Sequence, residues 1–225
     1  MDEPLVQAEG VSRSYGSRSA RIEAVRDASF EILPGQQLAL FGPSGSGKST
    51  LLHVIAGLLP ATSGVIRWPA LGPPDHLRPG PVSVAFQGLS LLPPLSVLEN
   101  VALPILLAGG DERTALAQAE EMLDLLDLGS IAKKLPEQIS GGQAQRAGVA
   151  RALVGNPRLV LADEPTGQLD RATGRGVLRV MVETVSAIGS ALIVATHDAQ
   201  VADPMPLRWS MADGWLSTGV GARSA

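Results

Sequence analysis

The sequence contains no cysteine among its 225 residues. This absence excludes disulfide bonds, thiolate nucleophiles and cysteine-ligated zinc, although it does not distinguish an oxidising from a reducing compartment. Excess positive charge is also lacking, because 18 Lys and Arg residues stand against 22 Asp and Glu residues and give a net charge of −4. A chain without a basic field is a poor candidate for binding polyphosphate backbones. We therefore expect no nucleic-acid partner.

The chain also lacks an apolar run long enough to cross a bilayer. A spanning helix needs about 20 mostly apolar residues, whereas the most apolar long stretch, residues 89–108, is interrupted by Pro93, Pro94 and Pro104. Residues 1–4 carry neither the positive region nor the apolar region of a secretory signal. We therefore expect a cytoplasmic protein without signal peptide or transmembrane segment. If the protein works at a membrane, the membrane-spanning part must be another chain.

What is present predicts an α/β domain. The length and the hydrophobic content of 45% allow one substantial core, alone or with a smaller lobe. Apolar runs and periodicity predict strands at 5–11, 28–32, 37–41, 82–86, 159–162 and 191–196, and helices at 48–58, 111–128, 141–154 and 173–188. Residues 69–81 are predicted as loop, residues 98–154 as a mostly helical insertion, and residues 204–216 as a terminal hairpin at the edge of the sheet.

Residues 42–49 match the phosphate-binding pattern G-x-x-x-x-G-K-[ST], and they lie between a predicted strand and a predicted helix, as that pattern requires. Glycines let the backbone N–H groups turn towards phosphate oxygens, and the helix N-terminus adds its dipole. Lys48 can reach the β- and γ-phosphates, and the Ser49 hydroxyl can hold Mg²⁺. The predicted nucleotide contacts are Gly42, Pro43, Ser44, Gly45, Ser46, Gly47, Lys48, Ser49 and Thr50.

Two adjacent acids, Asp163 and Glu164, end the wholly apolar run 159–162. A carboxylate at the end of a buried strand is costly unless it faces a cation or a hydrogen-bond donor. Asp163 is placed to bind Mg²⁺ through its water shell, and Glu164 is placed to polarise the attacking water. The two acids could instead cap the next helix or turn. Their position behind a phosphate-binding loop favours the catalytic interpretation.

Residues 139–143 closely resemble the LSGGQ signature of ABC ATPases, and they stand just before a predicted helix. The Ser140 hydroxyl and the N–H groups of the following glycines form another anion site, too far along the chain to share a phosphate with Lys48 of the same subunit. The resemblance implies that this site closes over the γ-phosphate bound to a second copy. The contacts it implies are Ser140, Gly141, Gly142 and Gln143.

The resemblance extends over nearly the whole chain and implies roles for four further residues. Gln87 resembles the glutamine that senses Mg²⁺ and the attacking water, and His197 resembles the switch histidine that contacts the γ-phosphate and orients Glu164. Asp170 resembles the aspartate at the dimer seam, and Tyr15 resembles the aromatic residue that stacks on adenine. Each has an ordinary structural interpretation when taken alone. Their order beside three stronger motifs favours the functional one.

The family implies a P-loop NTPase core with a mostly parallel sheet, an N-terminal antiparallel β-subdomain and an inserted helical subdomain at about 90–155. Together these form one ABC ATPase domain over residues 1–225. ATP and Mg²⁺ are the implied cofactors, and a second copy and an integral membrane permease are the implied partners. ATP hydrolysis would drive transport at the cytoplasmic face of the membrane. The implied catalytic residues are Glu164, His197, Gln87 and Lys48, and the implied metal ligands are Ser49, Gln87 and Asp163.

Residues 86–104 and 166–170 are similar to ATPases of the lipoprotein-release, macrolide-exporter and cell-division type, although a Leu- and Pro-rich stretch could simply pack the helical lobe. The segment between Gly64 and Gln87 departs from the family pattern, being shorter, richer in proline and without a short helix before Val82. The contact with a membrane partner is least predictable there.

Two alternatives belong to other classes. Soluble ABC ATPases acting on DNA or ribosomes usually carry two nucleotide domains, coiled-coil insertions or cysteine zinc modules, none of which occurs in this sequence. A module that senses ATP without turnover is opposed by Glu164 and His197, since such modules usually lose one of the two.

Overall fold

A computed structural model describes residues 3–16, 21–87 and 90–219 of the chain. The strands are β1 (Val6–Tyr15), β2 (Ile22–Ile32), β3 (Gln37–Phe41), β4 (Ser63–Arg67), β5 (Val82–Ala85), β6 (Leu159–Asp163), β7 (Ala191–Thr196), β8 (Leu207–Ala212) and β9 (Trp215–Ser217). The α-helices are α1 (Lys48–Ile55), α2 (Val97–Leu107), α3 (Glu112–Leu125), α4 (Gly141–Leu153), α5 (Arg171–Ala187) and α6 (Ala199–Ala202). Short 3₁₀ turns occur at Pro74–His76, Gly129–Ile131 and Pro136–Gln138.

Within these described ranges the strands form a single sheet in the order β4-β1-β2-β9-β8-β3-β7-β6-β5. Strands β8, β3, β7, β6 and β5 run parallel, whereas β1 pairs antiparallel with β2 and with β4. Every residue of β6 and β7 is buried, as expected for parallel strands covered on both faces. The predicted fold class, a parallel α/β core with an antiparallel N-terminal part and inserted helices, is confirmed.

The terminal hairpin of β8 and β9 was predicted at the edge of the sheet, and that placement is wrong. Strand β8 pairs with β3, and β9 pairs with β2 through Arg26 and Trp215, so the hairpin joins the antiparallel part of the sheet to the parallel core. The physical reason is that β3 needs a partner on the side away from β7, a requirement that only the folded chain reveals. Strand β4 is absent from the predicted strands because Ser63–Arg67 is largely exposed and presents no apolar run.

Helices α2, α3 and α4 stand between β5 and β6 in the chain and pack on a shared apolar cluster that includes Val101, Leu123 and Ala147. Helix α2 begins with a capping box between Ser96 and Glu99 and contains Pro104, which masks its helical pattern in the sequence. The boundaries 90–155 for a helical subdomain, within one domain over 1–225, stay a prediction.

Residues 69–81 form the predicted loop, apart from the 3₁₀ turn at Pro74–His76. Of the segment 86–104 that carries the branch resemblance, residues 88–89 lie outside the described residues. Among the helices that the structure does describe, none combines the length and the apolar character needed to cross a membrane.

Candidate active site

The predicted site residues converge at one edge of the sheet because the strands that precede them are parallel neighbours. The order β3-β7-β6-β5 places the carboxyl ends of these strands side by side. The phosphate loop follows β3, His197 follows β7, Glu164 follows β6, and Gln87 lies shortly after β5. The carboxyl edge of a parallel sheet is where α/β proteins bind ligands.

The phosphate loop connects β3 to α1 and encloses the ammonium group of Lys48. The side chain is only 6% exposed, and its Nζ atom donates hydrogen bonds to the carbonyl oxygens of Gly42 at 2.8 Å and Pro43 at 2.9 Å. The loop therefore holds a buried cation at the start of a helix. That combination attracts phosphate oxygens.

Two glycines of the loop are required by space as well as by backbone conformation. A Cβ atom at Gly42 would collide with the carbonyl oxygen of Met211 in β8, and a Cβ atom at Gly47 would collide with that of Ala24 in β2. Gly47 also has a φ angle of 104°, in the region that favours glycine. The hairpin and β2 thus fix the two ends of the phosphate loop.

Asp163 ends β6 in a site with the chemistry of a divalent cation ligand. Its Oδ1 atom is buried and has no hydrogen-bond partner among the described residues. Burial raises the pKa of the Asp163 carboxyl, and the nearby Ser49 hydroxyl opposes that shift. A buried carboxylate oxygen without a partner, beside a hydroxyl and facing the phosphate loop, fits the oxygen ligands that Mg²⁺ prefers. The residues present therefore fit this ion.

Glu164 and His197 form a direct pair. The Nδ1 atom of His197 lies 2.7 Å from the Oε1 atom of Glu164, whose side chain is 10% exposed, whereas that of His197 is 61% exposed. The pair exists because β6 and β7 are in parallel register, with Asp163 opposite Ala195. Glu164 itself has a left-handed φ angle of 46°, and its backbone N–H donates to the Ala195 carbonyl oxygen at 3.0 Å. A carboxylate oriented by an imidazole can accept a proton from water.

Tyr15 ends β1 beside the helix that follows the phosphate loop. Its hydroxyl oxygen lies 3.5 Å from Oγ1 of Thr50, and its ring is 4.9 Å from the guanidinium carbon of Arg13. The ring is therefore positioned by a cation–π contact that the sequence does not predict. Tyr15 remains 39% exposed, beside Thr50 of α1.

The signature segment caps a helix away from the phosphate loop. Ser140 is the N-cap of α4, where its Oγ atom accepts from the Gln143 N–H at 3.2 Å and its own N–H donates to Gln143 Oε1 at 2.9 Å. Ser140 and Gly141 are exposed. In the part of the chain that the structure describes, no hydrogen bond joins residues 140–143 to residues 42–50. Within the described residues of one chain, the signature segment and the phosphate loop are therefore not joined by hydrogen bonds.

Asp170 caps the next helix. Its carboxylate accepts from the N–H groups of Ala172 and Thr173 at 3.0 and 3.1 Å and from the Thr173 hydroxyl at 2.6 Å, and these bonds lower the pKa of Asp170, with Thr173 contributing most. The residue is exposed on the same side as the signature segment, since Leu169 lies against Gly142.

Gln145 is a residue of this region for which the sequence predicts no role. Its side-chain amide, buried within α4, bonds to the backbone of Glu164 and of Gln168. The available signal was a glutamine between Ala144 and Ala147 on the buried face of a helix. That signal alone names no partner for the amide.

Comparisons with known proteins agree with this geometry. The sequence profile described as "ABC transporter" matches residues 25–167. The chain is 37% identical to the lipoprotein-releasing system ATP-binding protein LolD of Shewanella oneidensis, over 96% of this chain and 97% of the relative. It is 38% identical to LolD 2 of Caulobacter vibrioides, over 96% and 98%. The dimeric post-hydrolysis structure of the ATP-binding cassette MJ0796, bound to ADP and Pi, superposes with a TM-score of 0.89 at 31% identity, covering 98% of this chain and all of that one.

Proposed function

The chain belongs to the ABC transporter family and is an ATP-hydrolysing subunit of a transport system, and from this we propose how its residues divide the work. Two copies bind Mg²⁺–ATP between them and drive an integral membrane permease of the lipoprotein-release type. The observation that carries the proposal is the Glu164–His197 pair, set at 2.7 Å beside the phosphate loop. Binding alone does not require an oriented general base, whereas hydrolysis does.

The binding roles follow the contacts at the sheet edge. Lys48 and the loop N–H groups hold the β- and γ-phosphates, and Tyr15 stacks on adenine. Ser49 and Asp163, with Gln87, would hold Mg²⁺, which when bound neutralises charge on the phosphate oxygens. The support is the orphaned Oδ1 atom of Asp163 and its Ser49 neighbour.

The hydrolytic step uses the paired carboxylate. A water oxygen attacks the γ-phosphorus, the bond from that phosphorus to the bridging oxygen of ADP breaks, and the water proton moves to Glu164. His197 orients Glu164 and contacts the γ-phosphoryl group. The Lys48 ammonium group stabilises the negative charge that develops on that group. Such electrostatic stabilisation is commonly the largest catalytic contribution.

The second copy completes the site. Ser140, Gly141, Gly142 and Gln143 of one chain face the γ-phosphate held by the other, and Asp170 lies at the seam. Two observations support this arrangement: among the described residues no hydrogen bond joins residues 140–143 to residues 42–50 within one chain, and the similar cassette is dimeric. Hydrolysis then occurs only in the closed dimer, and opening of the dimer afterwards transmits force to the permease.

Lys48→Ala tests the nucleotide assignment. Loss of a charge-assisted contact worth about 1.5–3 kcal/mol is expected to weaken ATP binding about 10- to 100-fold, measured by isothermal titration calorimetry. The control is Lys133→Ala, because Lys133 is an exposed lysine in the turn after the 3₁₀ turn Gly129–Ile131. An unchanged ATP affinity in Lys48→Ala would show that the phosphate loop does not bind ATP in the way proposed.

We also propose where the permease docks. A groove of about 790 Å³ lies between the free edge of the sheet at β5 and helix α2, lined on one side by Val84 and Phe86 and on the other by Leu103 and Leu107. Its walls are largely apolar, and Gln87 directly follows Phe86. An amphipathic segment of a membrane protein suits such a groove, and it would place this chain at the cytoplasmic face of the membrane.

Leu107→Glu is expected to release the permease without changing ATP turnover of the isolated chain. Leu107 is 63% exposed in the groove, and burying a carboxylate there on docking is unfavourable. The measurement is recovery of a membrane chain in detergent extracts with each tagged variant, compared with the unaltered protein. The control is Leu125→Glu, at a residue 58% exposed outside the groove lining. Equal recovery with both variants would place the permease elsewhere.

A further inference from the structure

The buried side chain of Gln145 connects helix α4, which begins with the signature segment, to the turn that begins at Glu164. In the proposed function these two segments act on different nucleotides of the dimer. Gln145 lies in α4 shortly after the signature segment and is only 6% exposed. Its Nε2 atom donates to the carbonyl oxygen of Glu164 at 3.0 Å, and its Oε1 atom accepts from the backbone N–H of Gln168 at 3.1 Å. One amide therefore bonds to two residues of the turn between β6 and α5, Glu164 at its start and Gln168 near its end.

This turn needs to be held in place. Glu164 has a left-handed φ angle of 46°, a conformation that a residue with a side chain keeps only where its surroundings fix it. Its N–H is fixed to Ala195, and Gly167 N–H donates to its carbonyl oxygen at 3.1 Å. Gln145 supplies a second contact from outside the turn, in addition to Ala195. The orientation of the Glu164 carboxylate towards His197 depends on this backbone.

The same turn lies against the start of α4. A Cβ atom placed on Gly141 would meet the side-chain oxygen of Gln168 at 3.5 Å, and one on Gly142 would meet Leu169 at 3.2 Å. The signature segment is therefore packed against Gln168 and Leu169. Gln145 is the hydrogen-bonded connection from that helix to Glu164 itself.

We propose that Gln145 is a positioning residue that couples the two nucleotides of the dimer. The inference rests on the proposed function, in which Ser140 serves the nucleotide of the second copy and Glu164 serves the chain's own. When the N-terminus of α4 binds the nucleotide of the second copy, α4 shifts, and the hydrogen bonds of the Gln145 amide move the turn with it. This shift places the Glu164 carboxylate where it can accept the proton of the attacking water. In each chain, closure over the nucleotide of the second copy thus positions Glu164 at the chain's own nucleotide.

Gln145→Met and Gln145→Glu test the role. Methionine keeps the length and removes both hydrogen bonds, whereas glutamate keeps the acceptor for the Gln168 N–H and removes the donor to the Glu164 carbonyl. A misplaced base is expected to lower kcat about 100-fold, while the Kd of ATP measured by calorimetry stays within about twofold of the parental value, since Lys48 and the phosphate loop are untouched. Either variant suffices if the other fails to fold.

The control is Asn100→Asp, the same amide-to-acid change at a buried side chain. Asn100 donates to the carbonyl oxygens of Leu92, Leu95 and Ser96, and among the described residues it has no hydrogen bond to Glu164. It is expected to lower thermal stability at least as much as Gln145→Glu and to leave kcat unchanged. If both variants lost kcat in proportion to stability, or if Kd rose as much as kcat fell, Gln145 would be only a packing residue.

Mixed dimers separate the two ends of the connection. The reference is a mixed dimer in which one chain carries Glu164→Gln and the other is unaltered. When Gln145→Met is added to the chain that carries Glu164→Gln, the mixed dimer is expected to hydrolyse ATP at the same rate as this reference. Placed on the opposite chain, Gln145→Met is expected to lower the remaining turnover about 100-fold. The reverse pattern would overturn the proposal. If Glu164→Gln kept parental turnover, the proposed function would fail; if Glu164→Gln lost turnover while Gln145→Met and Gln145→Glu kept it, the coupling alone would fail.

Discussion

Replacing Glu164 with glutamine is expected to lower ATP turnover by about 10²–10⁴-fold while ATP stays bound, because general base catalysis contributes on that order. Glutamine preserves the length of the side chain and its hydrogen-bonding reach to His197, now 2.7 Å from the carboxylate. It cannot accept the proton of the attacking water. Phosphate release in a single turnover, measured beside ATP binding, distinguishes lost chemistry from lost affinity.

The matched control is Glu183→Gln. Glu183 is an exposed glutamate of α5 whose side chain pairs with Arg179 at 4.0 Å, and a pair of this kind contributes little to stability. Its turnover is expected to equal that of the unaltered chain. Hydrolysis by Glu164→Gln at the parental rate would remove Glu164 from the mechanism.

Two inactive variants are expected to restore activity when they are combined. Ser140→Arg places a bulky cation at the capped start of α4, which we propose faces the second copy, and Lys48→Ala removes the buried cation of the phosphate loop. Each homodimer has two damaged sites. In a mixed dimer, one site combines the intact phosphate loop of the first chain with the intact signature of the second. The other site collects both changes.

The experiment requires differently tagged chains and purification through both tags, so that only mixed dimers are assayed. Turnover well above that of either homodimer is the expected result. Absence of recovery in mixed dimers of demonstrated composition would mean that each chain completes its own site, contrary to the proposed arrangement.

Local patterns predicted much of the fold because its core consists of strands and helices with strong periodicity. The fully buried strands β6 and β7 and the helix after the phosphate loop are apparent in the sequence. The position of the terminal hairpin is not, because strand pairing between β8 and β3 links distant segments. Strand β4 is stabilised by its neighbour β1 rather than by an apolar run of its own.

The site divides in a similar way. Lys48, Asp163 and Glu164 belong to local motifs whose chemistry can be inferred from residue type and spacing. The meeting of Glu164 with His197 depends on the register of two parallel strands, and in the sequence only the family resemblance implied it. Gln145 escaped prediction because its partners are backbone groups of another element. A sequence pattern identifies side chains but does not reveal which distant carbonyl one of them reaches.

The most direct test of nucleotides held between two copies is the molar mass of Glu164→Gln by light scattering, with and without Mg²⁺–ATP. We expect the mass of one chain without nucleotide and of two chains with it, with two ATP molecules retained per dimer. The dimer is expected to be lost when Ser140→Arg is added to the same chain. A mass of one chain at saturating Mg²⁺–ATP would contradict this arrangement.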